Sequence, residues 1–415
     1  MTILTRSLLR DDLESTTFGA GIASGAARRV GAEVEFLPLD SLTGRRCPIE
    51  ADGVISTLPF LRRFGATQGW QEGFTAKGTP CFALPEGGAI TFEPGGQLEY
   101  STPPCTSATG LLALLRSVVL PLRAAAVEEG IELVASGIDP ANSIEDAPLL
   151  LRPKRYERMA EYLGTRGPAG ARMMRQTASL QLSFDFGHEP WLRWRVLNAL
   201  APYASAVFAN SPIYAGQPTG HPSERAVVWR EVDPARTGIV YDEEHPVDAY
   251  LDFALSAPAI LLPTVAGEYL PFGACLDRAD NHAWEEHLST LFPEVRPRGH
   301  LELRSPDAIA PRWYPAPIAL MTGLLYHSDS LHAADDLLGT PDAALLDRAG
   351  SVGLHDPAMA RTAGDLAELA ISGCRALGPN YFHPADLERA ADFFDRYTRQ
   401  GRAPADDAVE RAIAA

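Results

Sequence analysis

The chain has 415 residues, 46% of them hydrophobic, and a formal net charge of −17. That apolar content excludes a disordered chain and allows a large core in up to three domains. The acidic surplus argues against broad affinity for nucleic acid or an anionic membrane surface. Lys77 and Lys154 are the only lysines, so any phosphate chemistry falls mainly to arginine. The five cysteines (47, 81, 105, 275 and 374) form no CxxC pair and no dense framework, which fits reduced thiols. Cys105, in "STPPCTSA", reads as a structural thiol.

Along the chain, the first residues, "MTILTRSLLRDDLES", turn acidic without a long apolar run and do not read as a signal peptide. Short apolar or alternating runs bounded by Gly and Pro predict strands at 31–38, 81–84, 89–92, 97–101, 131–136, 178–186 and 299–304. Helical periodicity is clearest at 107–129, where Leu111, Leu112, Leu115, Val118, Val119 and Leu122 form one stripe before Gly130. Further helices are expected at 154–164, 189–207, 246–257, 282–291, 316–327, 357–376 and 383–400. The run "LLALLRSVVLPL" is interrupted by Arg116, Pro121 and Arg123, short of the roughly 20 residues of a membrane span. The final "GRAPADDAVERAIAA" is Ala-rich and acidic, a surface helix or frayed tail.

Strands over the first three hundred residues followed by helices make an α+β order. Regular βαβ alternation, internal repeats and long polar linkers are absent. The expectation is one catalytic domain over residues 1–415, with 340–415 as a helical C-terminal appendage, in a soluble cytoplasmic protein.

Standard nucleotide signatures fail. There is no GxxxxGK[ST], and "GAGIASGA" at 19–26 precedes a strand where a dinucleotide loop would follow one. His282 with His287, and His327 with His332, are five apart, poor spacing for two ligands on one helical face, so solvated or capping roles are expected.

The acidic strands are more informative. "VGAEVEFLPLD" places Glu33 and Glu35 on one strand face, "ITFEPGGQLEYST" does the same for Gln97 and Glu99 with Glu93 beside a Pro-Gly-Gly turn, and "VRPRGHLELRSPD" pairs Glu302 with Arg304. Any one such pair fits a solvated sheet face. Three strands with an almost wholly acidic set fit better as a polar funnel that collects divalent cations. Hard oxygen donors with no Cys and little His indicate Mg²⁺ or Mn²⁺. Such ions, ringed by carboxylates and arginines, suit nucleotide phosphates. A glycosidase carboxylate pair fits five carboxylates with nearby Arg poorly.

These segments resemble a known family. "RPKRYERMAEYL" (152–163), "RMMRQTASLQLSFDF" (172–186), "ALAPYASAVFANSPIYAGQPTGHPSERAVVWREVDPARTG" (199–238) and "LFPEVRPRGHLELRS" (291–305) are similar to glutamate-cysteine ligases of the group found in plants, many bacteria and the ergothioneine pathway of actinobacteria. With the two acidic strands, the match runs from about 30 to 330 in the same order. The resemblance implies a glutamine synthetase-like fold, an antiparallel sheet curved into a funnel with Mg²⁺-ATP at one end and glutamate at the other. It implies that glutamate, ATP and cysteine are the substrates: the γ-carboxylate of glutamate takes phosphate from ATP, and the amine of cysteine then displaces it. The group permits monomers and homodimers.

On the matching positions, the resemblance assigns Glu33 and Glu99, with Glu93, to one Mg²⁺, and Glu35 and Glu302 to another. Gln181 of "SLQLSF" stands where some relatives complete the second site with His. Arg304 would meet the ATP phosphates beside Glu302 in the catalytic centre, helped by Arg298 and Lys154. Arg225 in "SER" and Arg236 in "DPARTG" would face substrate carboxylates, with Thr177 and Trp229 lining the pocket. After Arg304 the chain departs from its relatives: "SPDAIAPRWYPAP" replaces their usual "GAD" and paired-Arg segment, so the accepting amine is an open choice at this stage.

Overall fold

Strand β1 (Val30–Asp40) is the spine of the computed structural model, which describes residues 4–19, 28–264 and 267–414. Around it assemble β2 (Gln71–Phe74), β3 (Pro80–Ala83), β4 (Ala89–Phe92), β5 (Leu98–Ser101), β6 (Ile131–Val134), β7 (Leu180–Phe184), β8 (Val295–Pro297) and β9 (Leu301–Leu303). The order across the sheet is β8-β9-β7-β1-β5-β4-β3-β2, with β6 paired to the far end of β1. Every one of these pairings is antiparallel, and the sheet is open. The α+β class and the antiparallel sheet match the sequence-based expectation.

Alternation along β1 decides which face becomes core. Ala32, Val34 and Phe36 are buried, packed on the side of helix Ala108–Glu128, whose stripe of Leu111, Leu112, Leu115, Val118, Val119 and Leu122 is buried with them. Glu33 and Glu35 project to the opposite face. This helix runs unbroken through Arg116, Pro121 and Arg123, and by length and composition it is apolar enough to cross a membrane. The helix expected at 107–129 is thus present, and its interruptions in apolar sequence do not break it. Arg116 is satisfied by Asp386 of helix Pro384–Arg396, and Arg123 lies over the Phe36 ring.

Helix Pro315–Tyr326 is buried along its whole length and packs against Pro357–Leu377 and Pro384–Arg396. One contiguous apolar core extends from Leu4 to Tyr397. The final stretch is helix Pro404–Ala414.

Helices Thr57–Gln68, Ala169–Gln176 and Glu224–Val232, and strands β2 and β8, were not expected from the sequence. Thr57–Gln68 carries Pro59 and Gly65, and "ERAVVWREV" is rich in Val and Trp, so local propensity argues against helix in both. Ser223 settles the second case by capping: its hydroxyl accepts from the Ala226 amide at 3.0 Å. The expected helix 383–400 ends at Arg396 and is followed by a 3₁₀ turn, Thr398–Gln400. Of "GAGIASGA", residues 20–26 lie outside the described residues.

Candidate active site

The sheet register gathers the acidic residues. Glu33 is opposite Gln181 on β7 and Ser101 on β5, and Glu35 is opposite Glu99, which is opposite Thr91. Glu302 is opposite Ser183 on one side and Arg296 on the other. All these positions share one face, which forms the wall of a cavity of about 650 Å³. The cavity holds Glu33, Glu35, Glu93 and Glu99 along the sheet, and Lys77, Arg155, Arg225, Arg296, Arg298 and Arg304 elsewhere on its lining. Met159, Met173, Met174, Thr177 and Trp229 give it an apolar stretch.

Glu93 reaches the cavity because of its turn. The Gly96 amide donates to the Glu93 carbonyl at 2.8 Å, and Gln97 accepts from the Gly95 amide while donating to the carbonyls of Thr177 at 3.0 Å and Met174 at 3.4 Å. A Cβ on Gly95 would lie 2.2 Å from the Arg175 carbonyl, so only glycine permits this approach. Gln97, chosen from the sequence as half of a polar pair, thus serves to staple the turn.

The carboxylates on the sheet have few donors for their negative charge. Glu35 accepts from the Ser179 amide at 2.7 Å and the Gln181 amide at 3.1 Å, and Glu99 accepts from Thr91 at 3.1 Å and Ser101 at 2.9 Å. Withdrawal from solvent, then the neighbouring carboxylates, push Glu33 and Glu99 up to about 8 and Glu93 to about 7, and burial pushes Glu35 up as well. Such a set has spare lone pairs and a deficit of positive charge, which fits a hard divalent cation. Among the described residues, no three His, Cys, Asp or Glu side chains stand close enough to hold an ion as they are placed. Glu33, Glu35, Glu93 and Glu99 would have to draw together to do so.

Glu302 is different. It is 1% exposed and absent from the cavity lining. Arg296 donates to it at 2.7 and 3.2 Å, Arg304 at 3.1 Å and Arg298 at 3.5 Å. Although burial opposes ionisation, these guanidinium groups hold it well below the usual carboxylate range. Glu302 thus anchors an arginine bank beside Glu33, whose ionisation its charge also opposes. Gln181 links the two groups, donating to Glu35 and accepting from Arg304.

The remaining predicted residues divide. Thr177, Arg225, Trp229, Arg298 and Arg304 line the cavity. Lys154 does not: it is exposed at the start of helix Lys154–Gly164, while its neighbour Arg155 turns inward. Adjacent helical residues point about 100° apart, so a shift of one residue changes the face. Arg236 is fully buried behind the wall, donating to the Thr290 hydroxyl at 2.8 Å and carbonyl at 3.2 Å, and lying 3.3 Å from Asp233. It does not line the cavity. Sequence reasoning missed Lys77, Arg155 and Arg296. Only Arg296 left a signal, two residues before Arg298 in the sequence.

The histidines take no part. His282 is exposed, His327 accepts from the Ser330 amide at 3.3 Å, and His332 pairs with Glu189 at 2.8 Å. His287 departs from the expected solvated or capping role. It is buried 2.7 Å from the Ala254 carbonyl and stacked on Phe272, and burial pushes it down to about 3. Burial raises the Cys105 thiol, as expected of a structural cysteine.

An open antiparallel sheet with glutamates on one face, in a cavity that arginines also line, is the arrangement expected of a ligase of glutamine synthetase-like fold. The model of Glutamate-cysteine ligase family 2 (GCS2) matches residues 29–412, and the chain belongs to that family. It is 34% identical to the glutamate–cysteine ligase EgtA of Mycolicibacterium smegmatis, over 95% of this chain and 89% of that protein. It is 30% identical to the chloroplastic glutamate–cysteine ligase of Arabidopsis thaliana, over 98% and 80%. Among solved structures, a glutamate–cysteine ligase of Francisella tularensis in complex with AMP superposes with a TM-score of 0.54, at 12% identity, covering 93% of this chain and 84% of that one. That likeness bears on the fold alone.

Proposed function

We propose that this chain joins the γ-carboxylate of L-glutamate to the amine of L-cysteine at the expense of ATP, through γ-glutamyl phosphate, giving γ-glutamylcysteine, ADP and phosphate. The carrying observation is that Glu33, Glu35, Glu93 and Glu99 line one cavity together with Arg155, Arg296, Arg298 and Arg304, in a chain from this family. The first step brings a carboxylate against a polyphosphate, two anions that repel. Guanidinium groups placed in advance lower that barrier and cost no reorganisation when charge shifts. Glu302 keeps Arg296, Arg298 and Arg304 in register for this task.

Glu33, Glu35, Glu93 and Glu99 would hold Mg²⁺, which supplies charge neutralisation on the transferring phosphoryl group. Arg225 and Trp229, from helix Glu224–Val232, and Thr177, at the end of helix Ala169–Gln176, orient the amino-acid substrates. A recessed cavity protects the acyl phosphate from water until the amine attacks. The substrates are small molecules, the protein acts in the cytoplasm as a monomer or homodimer, and Mn²⁺ substitutes for Mg²⁺.

The test is ADP release by purified protein with Mg²⁺-ATP, glutamate and a panel of amines, with products identified by mass. ADP and γ-glutamylcysteine with cysteine are expected. ADP with a different amine, and none with cysteine, moves the chain to a carboxylate–amine ligase of another acceptor. No ADP with any amine makes it a ligand-binding or regulatory relative.

A further inference from the structure

The segment after Arg304 carries Asp307. The side chain is fully buried behind the cavity wall. Its Oδ2 accepts from the Asn210 amide at 2.8 Å and the Ser211 hydroxyl at 2.7 Å, and its Oδ1 accepts from the Ser223 hydroxyl at 2.9 Å. A Cβ on Gly137 would lie 2.4 Å from this carboxyl, so the backbone has closed around it. A carboxylate so deeply placed is costly unless a cation balances it. The cation is Arg225, 3.8 Å away.

Arg225 is held from several sides. Its guanidinium donates to the carbonyl of Arg304 at 2.8 Å and that of Ser305 at 3.1 Å, lies over the Trp229 ring, and presents its remaining edge to the cavity. Its backbone amide donates to the Ser211 hydroxyl at 3.1 Å, and Ser223, bonded to Asp307, caps the helix that bears it. One carboxylate therefore fixes the start of that helix, the charge of Arg225 and the main chain at Arg304.

We propose that Asp307 is a positioning residue, setting Arg225 against the carboxylate of an amino-acid substrate. The assignment rests on the ligase reading above. Removing its charge without its shape takes away the carboxylate that balances Arg225 and so loosens its setting at the cavity. Binding of an amino acid suffers, while the nucleotide end, built on Arg155 and Arg298, does not.

The experiment measures kcat and separate KM values for glutamate, cysteine and ATP in the wild type, Asp307→Asn and Ser211→Ala. Asp307→Asn is expected to raise KM for one amino acid about tenfold, the size of one charge-assisted contact, with KM for ATP within about twofold. Ser211→Ala, which removes one hydrogen bond to the same carboxyl, is expected to move the same KM by about threefold. A folded Asp307→Asn with all three KM values unchanged, or with the ATP value rising alongside the others, overturns the assignment. If Asp307→Asn does not fold, Ser211→Ala decides by the same split. An inactive wild type removes the ligase reading and this assignment with it, whereas an active wild type with indifferent variants removes only the assignment.

Discussion

Glu35 and Glu99 stand directly opposite each other across the β1–β5 pair, two carboxylates on one rung of the cavity wall. Opposed like charges destabilise a sheet, and Glu33 adds a third carboxylate two residues away on the same face. A fold that keeps this arrangement gives up stability at its binding surface, and the loss is recovered when positive charge arrives.

Glu99→Gln relieves that repulsion. In buffer without divalent ions at about pH 9, where Glu99 has lost its proton, its melting temperature should rise by roughly 1–3 °C. Turnover should fall about 100-fold or more, because the cavity loses part of its charge complement. Differential scanning calorimetry and a coupled ADP assay read the two effects. A lower melting temperature with unchanged turnover contradicts the account.

The raised carboxyls give a signed pH dependence. Glu33 and Glu99 at about 8 and Glu93 at about 7 keep protons in the metal-free fold that the unfolded chain has released by about pH 5. The folded state binds more protons in this window, so their contribution to stability is full at low pH and is lost as pH rises through about 8. On the proposed assignment Mg²⁺ would displace those protons, so the gain in melting temperature from the ion should be larger at pH 8.5 than at pH 6. An equal gain at both pH values would place the ion elsewhere.

Arg155 and Lys154 are adjacent, but only Arg155 lines the cavity. Lys154→Ala should leave all kinetic constants within about twofold. Arg155→Ala should raise KM for ATP about tenfold or more, the loss of one charge-assisted contact. The opposite ranking would restore the assignment made from sequence similarity alone.

Arg236 belongs to the scaffold. Its contacts with Thr290 and Asp233 lie in the interior, where Tyr162 also donates to Asp233 at 2.6 Å. Removing the arginine strands a buried carboxylate and carbonyl groups. Arg236→Ala should therefore lose about 3–5 kcal/mol in urea unfolding, with KM values unchanged in the protein that remains folded. A substrate-specific rise in KM without loss of stability would return Arg236 to the site.

Much of this was legible in the sequence for a physical reason: strand period is two, so Glu33, Glu35 and Glu99 announce a shared face before any fold is known. What period cannot supply is register, and it took the pairing of Glu35 with Glu99 and Glu33 with Gln181 to show which carboxylates are neighbours. Glu302 is expected as a ligand because it obeys the same spacing, but spacing does not show that Arg296 and Arg304 gather around it. Arg296 could have been found, because the same two-residue step that selected Glu302 and Arg304 links it to Arg298. Lys77 could not, since an exposed turn between β2 and β3 carries no periodic signal that it reaches a cavity. Nor could Asp307, whose role depends on Gly137, Ser211 and Ser223 converging from distant parts of the chain.

The central claim is that phosphate is transferred from ATP to the γ-carboxylate of glutamate before the amine attacks. Glutamate carrying ¹⁸O in that carboxylate tests it most directly, with the released phosphate analysed by mass after turnover with Mg²⁺-ATP and cysteine. The account predicts one ¹⁸O in each phosphate, transferred when the acyl phosphate is broken at its carbonyl carbon. Phosphate released alongside γ-glutamylcysteine without the label would contradict it.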